Sequence, residues 1–241
     1  EVVTYSFIEP SLADTLFPDQ PGVSLQNPIS SDMAVMRTSI LPGLITTLKY
    51  NENRQIERIR IFESGLVFKG SGEEIKQTAM LAGLVSGSKM PINWNNNKEL
   101  SDFYDLKGDV ELLLALGLEP DRYTFVAADY ACFHSGQCAR IESNGAIVGH
   151  IGALHPAILR KMGITGSCYM FEVQLAPLQE RRLPAARALS KFPEVSRDLA
   201  ILIDSSCASA DVLANVSENA GEHLTDLRIF DVYQGDAVAK D

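Results

Sequence analysis

Residues 37–70, RTSILPGLITTLKYNENRQIERIRIFESGLVFKG, constrain the fold more than any other part of this 241-residue chain. Leu41, Leu44, Ile45 and Leu48 recur at i, i+3, i+4 and i+7, the spacing that puts side chains on one helix face. Ser39 is placed to cap that helix, and Pro42 falls in its first turn, where a missing N–H costs nothing. The polar run from Tyr50 to Arg54 ends it. Ile59, Ile61 and Phe62 then lead into Gly65-Leu66-Val67-Phe68, a β-branched and aromatic run suited to a buried strand. A helix feeding a long sheet strand is the expected centre of the fold.

The flanks extend that pattern. Residues 1–8 alternate as a strand, Pro10-Ser11 starts a short helix through Leu16, and residues 23–27 are extended into Pro28. The first residues lack a Met and are already strand-like, as expected of a piece of a longer protein. After a hairpin loop at 69–76, residues 78–85 form a second buried strand. Asp105 is placed to cap a helix through Leu116, with Leu106, Val110, Leu113 and Leu114 inward and Gly117 at its end. Residues 123–127 form a short strand. Residues 137–142 and 146–153 flank Asn144-Gly145, the strongest hairpin signal in the chain. Residues 156–162 form a short helix stopped by Gly163, and 168–175 form another strand. Hairpins and meanders with interspersed helices predict an α+β fold, an antiparallel sheet flanked by helices. Residues 176–190, rich in Ala and Pro, read as a linker. A β-α-β set follows, with strands at 199–203 and 227–233. Between them runs a helix capped by Ser209 with Val212, Leu213 and Val216 inward.

Five blocks in this order resemble the β subunits of bacterial phenylalanyl-tRNA synthetases: residues 27–44 (NPISSDMAVMRTSILPGL), 61–68 (IFESGLVF), 102–111 (DFYDLKGDVE), 149–156 (GHIGALHP) and 191–204 (KFPEVSRDLAILID). The resemblance covers nearly the whole chain. It implies a class II aminoacyl-tRNA synthetase-like core module at 1–178, a linker at 179–190, and at 191–241 a truncated, ferredoxin-like anticodon-binding domain.

The resemblance also says where chemistry belongs. A class II enzyme holds the phosphates of its transition state with arginines. One follows Phe in a Phe-Arg-x-Glu signature; here that place reads Phe68-Lys69-Gly70-Ser71, and Lys lacks the planar fork of Arg. The other closes a Gly-x-Gly-x-x-Arg turn; here that place reads Glu172-Val173-Gln174-Leu175-Ala176-Pro177, with a carboxylate facing where phosphate would lie. The resemblance therefore implies an inactive module with no catalytic, cofactor or metal residues of its own. ATP and magnesium are used by the holoenzyme, on the α subunit. It further implies a cytoplasmic (αβ)2 heterotetramer that binds tRNA(Phe), with Leu41, Leu44, Ile45 and Leu48 as candidates for the subunit interface. Arg181, Arg182, Arg187, Lys191, Arg197 and Arg228 are the candidates for tRNA phosphate contacts. The alternatives are a free-standing divergent ligase that uses Lys69, and an RNA-binding module.

Charge bears on those alternatives. The net charge is −10. Before Ala185 there are 16 basic and 21 acidic residues and after it 5 and 10, which together make the 21 and 31 of the chain. Neither part is globally basic, so a large autonomous nucleic-acid surface is not expected. No apolar run approaches the ~18–20 residues of a membrane helix. The four cysteines show no framework spacing and are expected as reduced thiols. Cys132-x-His134-x3-Cys138 has no partner pair to complete a zinc site and reads as buried thiols around a loop histidine. His155 reads as a packed, hydrogen-bonded side chain, and Asp105, Asp109 and Glu111 as helix-start carboxylates. Lys69-Gly70-Ser71-Gly72 lacks Walker spacing.

Overall fold

The computed structural model describes residues 1–70, 74–95, 98–183 and 191–233, and it divides into two units, residues 1–186 and 187–241. The first unit opens with β1 (Phe7–Ile8), α1 (Pro10–Leu16), β2 (Val23–Ser24) and β3 (Val35–Met36); its strands form a small antiparallel sheet in the order β1-β3-β2. The strand expected over 1–8 is thus reduced to two residues. Upstream of it the backbone leaves that sheet, and Val2 N–H donates to Phe62 O at 2.9 Å.

After α2 (Leu41–Glu52) come β4 (Ile59–Lys69), β5 (Lys76–Ser86), α3 (Phe103–Ala115), β6 (Tyr123–Ala127), β7 (Phe133–Ser143) and β8 (Ala146–Leu154). The unit continues with α4 (Pro156–Met162), β9 (Cys168–Gln174) and α5 (Leu175–Gln179). The strands make one antiparallel sheet, β4-β5-β9-β8-β7-β6. β9 enters last and joins the β4–β5 hairpin to the β6–β7–β8 meander. The fold is α+β, as the hairpin pattern predicts. Asn144 (φ 51°) and Gly145 (φ 76°) turn the β7–β8 hairpin in the left-handed region that a two-residue loop demands.

Period-two alternation sorts the sheet residues onto two faces. Cys168 and Met170 of β9, with Ala82 and Leu84 of β5, pack against Leu41, Leu44, Ile45 and Leu48 of α2. On the other face Tyr169, Phe171 and Val173 of β9 pack with Leu106, Val110 and Leu114 of α3. The four α2 leucine and isoleucine side chains are at most 1% exposed. Each contributes on the order of 1.5–3 kcal/mol as core, and none reaches the surface. The expectation that they form a subunit interface is therefore corrected, because their own sheet already covers them. What α2 presents outward is Thr46 and Tyr50, the latter covered by Arg54, whose guanidinium carbon lies 3.4 Å from the ring centroid.

Two caps also differ from expectation. Asp102, not Asp105, caps α3: its Oδ1 accepts from Asp105 N–H at 2.8 Å while Asp105 Oδ2 accepts from Asp102 N–H at 3.0 Å. Asp105 thus plays the reciprocal role in a capping box. At α2 the cap position is Ile40; Ser39 Oγ accepts from Leu41 N–H at 3.1 Å instead. The start of the expected linker is helical, since α5 runs to Gln179 and Tyr123 Oη donates to Pro177 O at 3.0 Å.

In the second unit the described residues form α6 (Ser209–Asn219). Ala208 rather than Ser209 is its cap position, and Val212, Leu213 and Val216 are only partly buried. Residues 199–203 and 227–233 make no ladder among the described residues. A strand exists through the partner that takes its N–H and C=O groups, and neither segment has one here.

Candidate functional site

Two carboxylates break the alternation on the α2 face. Ile59, Ile61 and Val67 of β4 point toward the core, and Glu63 shares their parity. Cys168 and Met170 of β9 do likewise, and Glu172 shares theirs. Strand register then aligns a row across the sheet: Glu63 pairs with Ala82, Ala82 with Glu172, Glu172 with His150, and His150 with Arg140. Glu63 and Glu172 are 2% and 3% exposed, so each demands a compensating partner.

Glu63 finds a cation. Arg37 Nη1 donates to its Oε1 at 2.7 Å, and Thr4 Oγ1 donates to its Oε2 at 2.7 Å. Arg37 Nε donates to Leu66 O at 3.0 Å and its Nη1 also donates to Thr4 Oγ1 at 3.0 Å. Gly65 makes this possible: a Cβ there would collide with Arg37 Nη2.

Glu172 finds a helix start. Its Oε1 accepts from Ile40 N–H at 2.6 Å, which caps α2 from a strand 132 positions away in sequence. Ser39 also bonds the carboxylate. Burial pushes the Glu172 carboxyl up to about 7, opposed by the Ile40 and Ser39 bonds and by the charges of Lys69 and Arg37. His150 Nε2 is 3.9 Å from Glu172 Oε2 and has no hydrogen-bond partner among the described residues. Burial pulls the His150 imidazole down to about 4, helped by Lys69, so it is neutral at pH 7 and the contact is not an ion pair. Tyr130 and Phe133 hold its ring at centroid distances of 5.3 and 5.6 Å.

The positions expected to bear phosphate-binding chemistry lie around this row. Lys69 is the last residue of β4 and exposed; Ser71 lies outside the described residues. Glu172 is turned inward to α2 rather than toward a ligand, Gln174 Nε2 donates to Ile147 O at 3.4 Å, and Pro177 sits in α5. Cys132 and Cys138 are buried in the α2-face core, and burial raises both thiols, to about 12 and about 11. His134, on β7 rather than in a loop, is exposed and its Nδ1 accepts from Gly136 N–H. His155 caps α4 through Nδ1, which accepts from Ala157 N–H at 3.1 Å. Among the described residues no group of three or more His, Cys, Asp or Glu is placed to hold a metal.

The basic candidates are scattered. Arg181 and Arg182 are exposed, and Arg182 pairs with Glu119 at 3.2 Å. Arg187 lies outside the described residues. Lys191, Arg197 and Arg228 are exposed in the second unit, among Glu194, Asp198, Asp204, Asp211, Glu218, Glu222, Asp226 and Asp231.

Residues 1–175 match the family model of the phenylalanyl-tRNA synthetase β-chain CLM domain, and residues 190–241 that of the ferredoxin-fold anticodon-binding domain. The chain is similar to phenylalanine–tRNA ligase β subunits: 48% identical over 238 residues to that of Pseudomonas fluorescens (99% of this chain) and 42% over 241 residues to that of Hahella chejuensis (100% of this chain). It spans about 30% of the length of each relative. In fold it resembles a solved pyrrolysyl-tRNA synthetase from Desulfitobacterium hafniense, with TM-score 0.52, 18% identity, and 73% of this chain and 58% of that one covered.

Proposed function

This chain belongs to the phenylalanyl-tRNA synthetase β-chain family, and we propose that it is a non-catalytic scaffold for a partner subunit that carries the aminoacylation site. The observation that supports this reading is the closed α2 face of the sheet. By the family resemblance Glu172 takes the place of the first glycine of the nucleotide-binding turn, and its carboxylate is taken up by the start of α2. The side chain that stands in place of that glycine is committed to the start of α2, so it offers a triphosphate neither a cation nor an open backbone approach. Lys69 offers a point charge without the bidentate fork, and Pro177 offers no charge. ATP and magnesium are then handled by the α subunit, in a cytoplasmic (αβ)2 heterotetramer. The second unit, with Arg181, Arg182, Arg187, Lys191, Arg197 and Arg228 nearby in sequence, supplies phosphate contacts to tRNA(Phe). Its acidic surroundings make that contribution local rather than a broad attractive field.

The test is amino-acid-dependent ATP–pyrophosphate exchange by the full-length β chain, alone and after light scattering has verified a mixed complex with the α subunit. Exchange is expected only in the complex. Exchange by the β chain alone, lost on Lys69→Ala, would instead make this a divergent ligase. Steeply salt-dependent tRNA binding by the β chain without any complex would make it an RNA-binding module.

A further inference from the structure

Gly117 follows the end of α3, yet it does not adopt the left-handed conformation that makes glycine a helix stop; Leu118 does, at φ 64°. A side chain at Gly117 is excluded for another reason. A Cβ there would lie 2.9 Å from Glu180 O, while its next neighbour, Leu114 O, is 3.9 Å away. The glycine makes room for the chain that leaves α5. Further contacts hold that chain over residues 117–123. Leu178 packs with the α3-face core, and Tyr123 Oη donates to Pro177 O at 3.0 Å. Arg182 N–H donates to Gly117 O at 3.2 Å. Arg122 Nη1 meets Glu180 Oε2 at 2.5 Å, and its Nε donates to Ser143 Oγ at 2.7 Å. The Arg122 side chain is 17% exposed and Ser143 is 4% exposed, so the guanidinium is seated on the end of β7 where it takes Glu180. The Arg182–Glu119 pair lies open to water and adds little.

Apolar, backbone and ionic contacts thus act together on one short segment, in a space that a glycine keeps open. We propose that residues 117–123 are a dock for residues 177–182, and that Gly117 and Arg122 are positioning residues for tRNA. The dock fixes where the chain leaves the first unit on its way to the second. The hold of the first unit then reaches Arg182, beyond residue 178 where the core module is expected to end. A connection fixed at its root restricts the orientations open to what it carries, which lowers the cost of engaging one tRNA with both units. This role rests on the reading above, in which the second unit contacts tRNA(Phe).

The test uses the full-length β chain, alone and in its complex with the α subunit. Trypsin digestion, with the sites read by mass spectrometry, follows the bonds after Arg181 and Arg182, which open to the protease when the segment leaves its dock. Gly117→Ala sets one methyl against Glu180 O and removes no side-chain contact, whereas Arg122→Ala removes the ionic hold. In both variants cleavage at those bonds is expected to be at least about fivefold faster. KM for tRNA(Phe) in aminoacylation should rise at least about threefold, with amino-acid-dependent ATP–pyrophosphate exchange unchanged. Should Arg122→Ala not fold, Gly117→Ala alone decides. Unchanged cleavage, or exchange that falls in step with the tRNA effect, overturns the proposal. Lys191→Ala combined with Arg197→Ala in the second unit separates this outcome from the tRNA reading. A tRNA KM that rises in that variant but not in the dock variants overturns the positioning role. If it rises in none of them, the tRNA reading has failed and the positioning falls with it, while the dock stands on the cleavage rates of the β chain.

Discussion

Glu63 and Glu172 occupy the same face of one sheet with a single strand between them, and burial treats them alike. Their partners differ. At the Glu63 end a guanidinium and a threonine hydroxyl satisfy the carboxylate. At the Glu172 end it is met by a backbone N–H, a serine hydroxyl and a neutral imidazole. A full counter-charge lies in direct hydrogen-bond contact with the first. At the second the direct contacts are dipoles, the charges of Lys69 and Arg37 add to them, and burial still leaves the carboxyl at about 7.

The largest expected effect breaks the counter-charged end. Arg37→Ala strands Glu63 without a cation and leaves Leu66 O without its donor, and removing one partner of a buried pair costs about 3–5 kcal/mol. Urea unfolding at pH 7 checks this. A loss below about 1 kcal/mol, the worth of an exposed pair, would mean that the end is wet and the contrast false.

The other end is tested through pH. Glu172 keeps its proton to about 7 when folded and releases it near 4.5 when unfolded, so its stabilisation is present below 4.5 and lost as pH rises through 7. His150 binds a proton near 6.5 unfolded but near 4 folded, so its stabilisation is present above 6.5 and lost as pH falls through 4. Between pH 4.5 and 6.5 the two slopes oppose and the native chain is nearly pH-independent from this pair. Glu172→Gln exposes the histidine slope, a rise of about 3 kcal/mol from pH 4 to 6.5; His150→Gln exposes the opposite fall from pH 4.5 to 7. Parallel curves for native chain and both variants would remove the titrating end from the comparison.

Much of this fold is legible in residue order. The bounds of β6 and α4 follow from Tyr123–Ala127 and from Pro156 and Gly163, because those signals are local. The polar row is not local. Glu63 and Glu172 are 109 positions apart and meet one sheet face only once β9 enters between β5 and β8. The trace left in the sequence is parity: an acid at an apolar position, in Ile61-Phe62-Glu63 and in Met170-Phe171-Glu172. The same limit explains α2. Periodicity finds its apolar face, but whether that face meets its own sheet or another chain is decided by tertiary packing. Strands at 199–203 and 227–233 have the right composition, yet a ladder needs a second strand, which composition does not supply.

Gly65→Ala sharpens the contrast at the Glu63 end. The added methyl forces Arg37 to move, and overpacking a site of this kind costs about 1–3 kcal/mol. The loss should shrink in an Arg37→Ala background, where the space is free. Additive losses in a double-mutant cycle would mean that Gly65 serves the strand and not the ion pair.

The smallest effect comes from Ser39→Ala. The hydroxyl bonds the Glu172 carboxylate and accepts from Leu41 N–H, so its removal takes an interaction from the ionised acid and from the start of α2. The helix part is the same at every pH. The carboxylate part is felt when Glu172 is charged, so the total loss should be about 1 kcal/mol at pH 8 and smaller at pH 5. In the His150→Gln background, where the glutamate slope stands alone, the fall in stability should shift to higher pH, because losing a donor to the charged form raises the carboxyl further. A loss equal at both pH values would assign Ser39 to the helix alone and leave the Ile40 N–H as the single dipole that keeps Glu172 from remaining protonated.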